Sequence, residues 1–374
     1  MSIKILHTAD IHLDSPFTAF SPSAAERRRE AVRRSFLRLI EKAREEQVQL
    51  FFISGDLFDT EFATRDTALM LKNAFLSLPS CAFFISPGNH DPFTPASVYA
   101  TADFPDNVHV FKDRQCVELK DIGVRVFGYG FTSSLYGEST VTGYDIPDDD
   151  MINILVCHGD MSGVLSSNGP VTKREIGESR FDYVALGHIH KGTGVCNENG
   201  VFYAYPGCLC GRSFDETGIK SALIGTVEKG NVNLRSVSVA EMRYEVITVD
   251  VSDAVSRRNA LDMIRSAVSD FPAGTVIRVN AVGDTDEEYL FSPDELSGQT
   301  ECEVHIIDNT RVVVSFTGTE SENTLKGAFY RIMEKRISQS RPGSDEYNIL
   351  VKALKYGLTA LNEKNIADFG EEQI

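Results

Sequence analysis

Five short apolar runs within the first 190 residues each lead directly into residues that can hold a metal ion. Residues 3–6 run into Asp10 and His12. Residues 50–53 run into Gly55-Asp56-Leu57-Phe58-Asp59, and residues 82–85 into Gly88-Asn89-His90-Asp91. Residues 152–157 end at His158, and residues 183–186 at Gly187-His188-Ile189-His190. Runs this short and evenly apolar fit strands buried on both faces, as in a sheet covered by helices. Residues 23–46 and 64–77 read as long helices between the first three runs. The order strand, helix, strand, helix, strand up to about residue 90 is that of an α/β layered core. In such sheets ligands gather outside the carboxyl ends of the strands. The five signatures, remote in sequence, are therefore expected to converge.

Residues 117–127 and 195–239 have a shorter, hairpin-like pattern, with turns at Asn197-Glu198-Asn199-Gly200 and Lys229-Gly230-Asn231. They read as antiparallel strands completing a second sheet. The pattern changes near Ala240. Residues 244–251 and 276–282 read as strands around a helix at 254–270. Residues 303–307 and 311–315 read as two further strands joined by Asp308-Asn309. This small α+β unit has no metal-ligand spacing. Two helices follow, at about 320–338 and 346–364, separated by Arg341-Pro342-Gly343. The expected division is 1–240, 241–318 and 319–374.

Composition narrows the class. At 42% hydrophobic and 24% charged, the 374 residues are ordinary for a soluble globular protein. No apolar run approaches the ~20 residues of a membrane span, and no basic, then apolar, leader opens the chain. Seven scattered cysteines, without a zinc-type double pair, point to a reducing cytoplasm. A net charge of -17 excludes a generally basic nucleic-acid binder.

The signatures supply carboxylate, imidazole and amide oxygen together. That mixture binds two divalent cations and suits manganese, iron or zinc better than a magnesium-only cage. Cations ~3.5–4 Å apart need a shared anion, and Asp56 is the natural bridge. Asp10, His12 and one histidine of the His188/His190 pair complete the first site. Asn89, His158 and the other histidine complete the second. Such a pair turns water into a nucleophile near neutral pH and offsets charge on phosphate oxygens, so the expected reaction is hydrolysis of a phosphate ester. His90 can reach substrate without being a ligand and would assist the leaving oxygen, with Asp59 or Asp91 orienting it. Any one signature alone is an ordinary turn. Five of the eight histidines falling at strand ends is not.

The series Asp10-x-His12, Gly55-Asp56, Gly88-Asn89-His90-Asp91, His158 and Gly187-His188-x-His190 resembles the calcineurin-like metallophosphoesterase superfamily. The stretches 5–13, 55–59 and 185–191 resemble the SbcD-type DNA-repair nucleases within it, and Tyr205 to Gly218 resembles their YhaO-like branch. The likeness covers about residues 1–240. It implies a four-layer α/β/β/α sandwich followed by a small α+β capping domain and C-terminal helices. It also implies two metals, usually manganese, with phosphodiester hydrolysis on DNA. By this resemblance Asp10, His12, Asp56 and His190 hold one ion, Asp56, Asn89, His158 and His188 hold the other, and His90 is catalytic. Such nucleases work beside an SMC-like coiled-coil ATPase and are often homodimers. This chain has no Walker-type loop, so the ATPase would be a separate polypeptide docking on the helices after Glu320.

Arg212, Lys191 and Arg28 are candidate phosphate contacts. Arg28 belongs to the basic run Arg27, Arg28, Arg29, Arg33 and Arg34, which is interleaved with Glu26 and Glu30 and also reads as a solvated helix face. Lys173 and Arg174 are comparable candidates. Cys208 and Cys210 read as two small buried thiols. The acidic balance keeps two alternatives in view: a small-nucleotide phosphodiesterase, and a metal-binding structural subunit that anchors the ATPase. A protein phosphatase fits less well, because Gly55-Asp56 lacks the Asp-Arg-Gly sequence that follows in that family and Gly88-Asn89-His90 is followed by Asp91 rather than Glu.

Overall fold

A computed structural model describes residues 2–163, 166–285, 289–312, 323–342 and 344–361. In chain order the first part comprises β1 (Ile3–Thr8), α1 (Pro22–Glu45), β2 (Leu50–Ile53), α2 (Arg65–Leu76), β3 (Ala82–Ile85), the single turn α3 (Val98–Thr101) and β4 (Val108–Val110). It continues with β5 (Gln115–Leu119), β6 (Val124–Tyr129), β7 (Ile152–His158), α4 (Lys173–Glu178), β8 (Tyr183–Gly187), β9 (Cys196–Glu198), β10 (Val201–Ala204), β11 (Ala222–Glu228) and β12 (Asn231–Val237). The strands form two six-stranded mixed sheets, of order β12-β11-β1-β2-β3-β4 and β5-β6-β7-β8-β10-β9.

The near-continuous apolar runs are explained by this stacking. Ile3, Ile5, Leu50, Phe52 and Phe84 of the first sheet meet Val126, Ile154, Val156 and Ala185 of the second in one core. The alternate residues Leu6, Phe51, Ile53 and Phe83 face α1 and α2. On the other side, Leu155, Cys157, Val184 and Leu186 pack with Ile176 of α4. The result is a sandwich of two sheets with helices outside. Ser21 starts α1 by accepting the Ala24 N–H at 3.4 Å, with Pro22 in the first turn. Its buried stripe Ala25, Val32, Phe36, Leu39, Ile40 and Ala43 has helical spacing. Each large apolar side chain in that stripe contributes about 1.5–3 kcal/mol. Thr64 caps α2 through the Thr67 N–H at 3.2 Å.

One expectation is overturned here. Residues 195–239 do not all complete the second sheet. β9 and β10 do, across a turn in which Asn199 and Gly200 both have positive φ. β11 and β12 return to the first sheet, where β11 pairs antiparallel with the free edge of β1. A sheet edge carries unpaired N–H and C=O groups, and the β11–β12 hairpin closes the one that β1 would leave.

Further along lie β13 (Arg243–Asp250), α5 (Arg257–Val268), β14 (Thr275–Thr285), β15 (Glu303–Val312), α6 (Leu325–Gln339) and α7 (Asp345–Leu361). β13, β14 and β15 form a three-stranded sheet in that order. The Asp308-Asn309 turn expected between two strands is instead the interior of β15. The Asp308 carboxylate accepts N–H groups from Phe291 and Thr310, both at 3.0 Å, which satisfies it without a chain reversal. Residues 313–315 of the second expected strand, and the outer ends of the two expected C-terminal helices at 320–322 and 362–364, lie outside the described residues. α6 and α7 pack through Tyr330, Met333, Leu354 and Leu358.

The chain divides into two compact units, Met1–Ile247 with Val268–Arg278 and Leu296–His305, and Thr248–Ala267 with Val279–Glu295 and Ile306–Ile374. Everything that follows about the site lies in the first. Among the described residues no helix is long and apolar enough to cross a membrane.

Candidate metal centre

The site forms where the strand ends of both sheets meet. After β1 and β2 the backbone twists sharply. Asp10, His12 and Asp56 have φ of 51, 52 and 51°, and His188 after β8 has φ 107°. Non-glycine residues hold such angles at a cost of order 1–3 kcal/mol, and only where the surroundings fix them. Here the two loops are zipped together. The N–H groups of Asp10, His12 and Leu13 donate to the carbonyls of Gly55, Asp56 and Leu57 at 3.1, 3.0 and 2.9 Å, and Asp59 N–H returns to Leu13 at 3.0 Å. Gly88 lets the third loop close in, since a Cβ there would stand 2.2 Å from Asp56 Oδ1.

Each of four histidines has one ring nitrogen in the centre; the other is hydrogen-bonded from behind in His158 and His190, and has a carboxylate nearby in His12 and His188. His12 Nδ1 lies 3.1 Å from Asp59 Oδ1. His158 Nδ1 donates to the Ser54 carbonyl at 2.9 Å. His190 Nδ1 donates to Glu216 Oε1 at 2.6 Å. His188 Nε2 faces Asp160 Oδ2 at 3.6 Å. In His158 and His190 the backing acceptor fixes the proton on the outer nitrogen and leaves the inner one as a lone pair, the arrangement seen behind metal-bound imidazoles.

The inner atoms are clustered as possible ligands for a cation. His12 Nε2 and His190 Nε2 stand 3.3 Å apart. His158 Nε2 and His188 Nδ1 are 3.2 Å apart, and Asn89 Oδ1 is 3.0 and 3.2 Å from them. Asp56 Oδ2 is 3.8 Å from His12 Nε2 and 3.5 Å from His158 Nε2, and Asp10 Oδ1 is 3.7 Å from His190 Nε2. Lone pairs face lone pairs. Protonation is not the remedy, because burial lowers the basicity of His12 and His158 and takes His188 down to about 4. Burial, and then the neighbouring Asp56 charge, push the Asp10 carboxyl well up. Burial opposes ionisation of Asp56 too, but His158, His12 and His90 hold it below the ordinary carboxylate range. Divalent cations answer all of these at once. The donor atoms of Asp10, His12 and His190 lie within 4.8 Å of one another, as do those of Asp10, Asp56 and His158 and those of His12, Asp56 and His90. Asp56 is common to the last two groups.

The seven expected ligands are thus brought together. His90 lies beside them, exposed to solvent. Its N–H donates to Asp56 Oδ1 at 3.0 Å and its Nδ1 sits 3.2 Å from the Asp59 carbonyl, with the ring edge-on to His12. Asp59 therefore meets His90 through its backbone. Its carboxylate serves His12, Ser15 Oγ at 2.8 Å and Arg212 Nη1 at 2.9 Å, and is held down at about 2. Asp91 is not placed to orient His90. It is buried beneath the loops, accepting N–H groups of Gly88, Phe58 and Asp56 at 2.7, 3.1 and 3.2 Å and the Tyr99 hydroxyl at 2.5 Å. Its carboxylate ties the second and third loops together.

The basic candidates separate. Arg212 lies in the site, bridging Asp59 and Glu216. Lys191 is exposed and lines a cavity of about 290 Å³ next to His190, with Lys220. Arg28 is displaced from any substrate role. It is only 1% exposed, and its guanidinium bonds Tyr244 Oη at 3.0 Å and Glu303 Oε1 at 2.6 Å. Its position on the inner face of α1, among Ala25 and Val32, is what the charge pattern concealed. Arg29 and Arg33 pair with Glu26, and Arg33 with Asp14. Arg174 pairs with Glu178. Cys208 and Cys210 are buried thiols whose ionisation burial opposes.

Glu216 and Asp160 are participants that sequence reasoning missed. Asp160 sits two residues after His158, and that closeness to a ligand histidine was the available signal; Glu216 sits four residues after Arg212 but 26 after His190, so nothing in its spacing pointed to the histidine it backs.

The family model for calcineurin-like phosphoesterases matches residues 3–192, just over half of the chain. The chain belongs to this family. Metal-dependent phosphoester hydrolysis is the chemistry of the family, and its members use divalent metal ions. A Bacillus subtilis (strain 168) protein, the uncharacterized metallophosphoesterase YhaO, is 29% identical over 280 residues, covering 71% of this chain and 68% of that one. Among solved structures, TT1561 of Thermus thermophilus aligns at a TM-score of 0.38 and 13% identity, covering 64% of this chain and all of the other.

Proposed function

We propose that this calcineurin-like phosphoesterase is a two-cation, manganese-dependent phosphodiesterase of the SbcD type that cuts DNA in repair, beside a separate SMC-like ATPase. The observation that carries the two-cation reading is Asp56, a single buried carboxylate common to two donor groups, one with Asp10 and His158 and one with His12 and the exposed His90. Divalent cations, when bound, bring the pKa of water toward neutrality and offset charge on the phosphoryl oxygens. Asp10, His12, Asp56 and His190 would hold one, and Asp56, Asn89, His158 and His188 the other. His90 keeps Nδ1 on the Asp59 carbonyl, so Nε2 is the nitrogen that delivers a proton to the leaving oxygen. The DNA reading is supported by the motif likeness over residues 1–240 and by an open groove of about 600 Å³ that includes Asn89 and His90. The exposed apolar side chains of α6 and α7, Leu325, Ile332, Ile349 and Tyr356, support an ATPase-docking role for that helical pair.

The test is manganese-dependent cleavage of end-labelled single- and double-stranded DNA by the purified chain, beside bis-p-nitrophenyl phosphate. His90→Asn should lower turnover about 10²–10⁴-fold with manganese content unchanged. Cleavage of the small ester with DNA untouched would replace the DNA reading with that of a small-nucleotide phosphodiesterase. Inertness toward both would leave the structural-subunit reading.

A further inference from the structure

The groove that includes Asn89 and His90 has an unusual wall. Its other lining residues are Thr60, Glu61, Phe62, Pro92, Thr94, Thr132, Ser133 and Ser134. None is a lysine or arginine. Glu61 is the one charged carboxylate among them, and it is committed to Thr94, whose hydroxyl donates to it at 2.9 Å. A second phosphate, away from the metal centre, would find no lysine or arginine in this wall and would face that carboxylate. A neutral, flat group with hydrogen-bonding edges would find several hydroxyls and one aromatic ring.

That ring is Phe62, 59% exposed. Its backbone is nevertheless fixed. The Thr60 hydroxyl donates to the Phe62 carbonyl at 3.1 Å and accepts the Phe62 N–H at 3.3 Å. Val98 N–H holds the Glu61 carbonyl at 3.0 Å. A large apolar side chain held out of the core, in a groove beside His90 whose other lining residues are mostly Thr and Ser, has lost burial that a bound planar group would restore. The lysines near the centre lie elsewhere: Lys191 and Lys220 line the cavity next to His190.

We infer that Phe62 is a base-stacking platform, and that this groove takes the nucleobase adjoining the phosphate that is cut. The inference deepens the nucleic-acid reading above and rests on it. It makes the site selective for nucleotidyl phosphodiesters over esters without a base, with little preference among bases, because every base presents a π face.

The test uses the manganese-loaded full chain and a labelled single-stranded oligonucleotide in which one abasic residue is moved through each position. In the wild type, removing the base at one position beside the cut should lower kcat/KM about tenfold, the size of one base–aromatic stack. In Phe62→Ala that ratio should fall below about twofold at the same position. Phe62→Trp should keep it. A flat abasic scan in the wild type, or an undiminished ratio in Phe62→Ala, would overturn the inference. If no oligonucleotide is cut but nitrophenyl esters are, the DNA reading is lost separately. The ratio of thymidine 5′-(p-nitrophenyl phosphate) to methyl p-nitrophenyl phosphate then decides on Phe62: a preference for the thymidine ester that collapses in Phe62→Ala supports it, and no preference, or one that persists, overturns it.

Discussion

Glu216 is not among the seven expected ligands, yet its replacement should weaken one of the metal sites. Its Oε1 accepts His190 Nδ1 at 2.6 Å and Arg212 Nη2 at 3.0 Å, and its Oε2 accepts the Arg212 backbone N–H at 2.8 Å. Burial opposes its ionisation, but His190 and Arg212 together hold it far below the ordinary carboxylate range. The bond to His190 is therefore charge-assisted, roughly twice as strong as a neutral one. It sets both the tautomer and the tilt of the ring. Loss of such a backing group weakens metal affinity about 10–100-fold, or about 1.4–2.7 kcal/mol. Glu216→Gln keeps an acceptor oxygen but no charge and should fall near tenfold. Glu216→Ala leaves His190 unbacked and Arg212 paired with Asp59 and Ser15, and should fall near a hundredfold.

The assay is calorimetric titration of the metal-free chain with manganese. One of the two binding steps should weaken, the one that includes His190, and activity should recover at saturating manganese. Thermal melting in chelator separates this from a general loosening of the loop. Two manganese ions bound by both variants with wild-type affinity would refute the reasoning, and His190 would then be oriented by its own backbone.

Three further outcomes follow from the same geometry. Gly88→Ala places a Cβ where Asp56 Oδ1 stands; it should reduce bound manganese below two per chain and lower kcat by at least about a hundredfold, read by metal analysis and by initial rates. Glu303 is held at about 2, with His305 the larger cause, burial opposing and Arg28 assisting. A depressed carboxylate stabilises the fold above its unfolded pKa and ceases to as pH falls through the folded one, so Glu303→Gln should cost about 1 kcal/mol at pH 7 after solvent screening, and the gap in melting temperature should close between about pH 4.5 and 2. Chelation should lower the melting temperature. At manganese a hundredfold above Kd each site adds about 2.7 kcal/mol, worth roughly 5 °C per site at 2 °C per kcal/mol, and an unchanged melting curve would mean that no ion binds the folded chain selectively.

The strand ends were legible because burial on both faces leaves a short, unbroken apolar run, too short for a helix, that stops abruptly where charged and glycine residues begin. The ligands came with them. What was not legible depended on the other side of a contact. Arg28 and Arg34 look alike in the basic run, but α1 turns Arg28 inward to Tyr244 and Glu303 and leaves Arg34 exposed. Asp59 and Asp91 flank the same loops, yet Asp91 is spent on backbone N–H groups. The destination of β11 was hidden as well, because its residues would suit either sheet and the choice is made by the unpaired edge of β1.

The division of ligands between the sheets has a consequence for stability and affinity together. Asp10, His12, Asp56 and Asn89 hang from the first sheet, and His158, His188 and His190 from the second. Each expected ion therefore draws donors from both. The sheets touch tightly just behind: a Cβ on Gly187 would stand 1.7 Å from the Ser54 carbonyl oxygen. Ser54 crosses the seam with its hydroxyl to the Ala185 carbonyl at 2.9 Å and with its carbonyl to His158 at 2.9 Å. His7 reaches Tyr183 Oη across the same seam at 2.8 Å, neutral because burial takes its pKa down to about 3. The inter-sheet core of Ile5, Phe52, Val156 and Ala185 thus fixes the spacing of the donors before any ion arrives, which is the preorganisation a metal centre needs. The relation is reciprocal, because an ion held by both sheets resists their separation. Residues at the seam that touch no ion are for this reason part of the metal site's energetics.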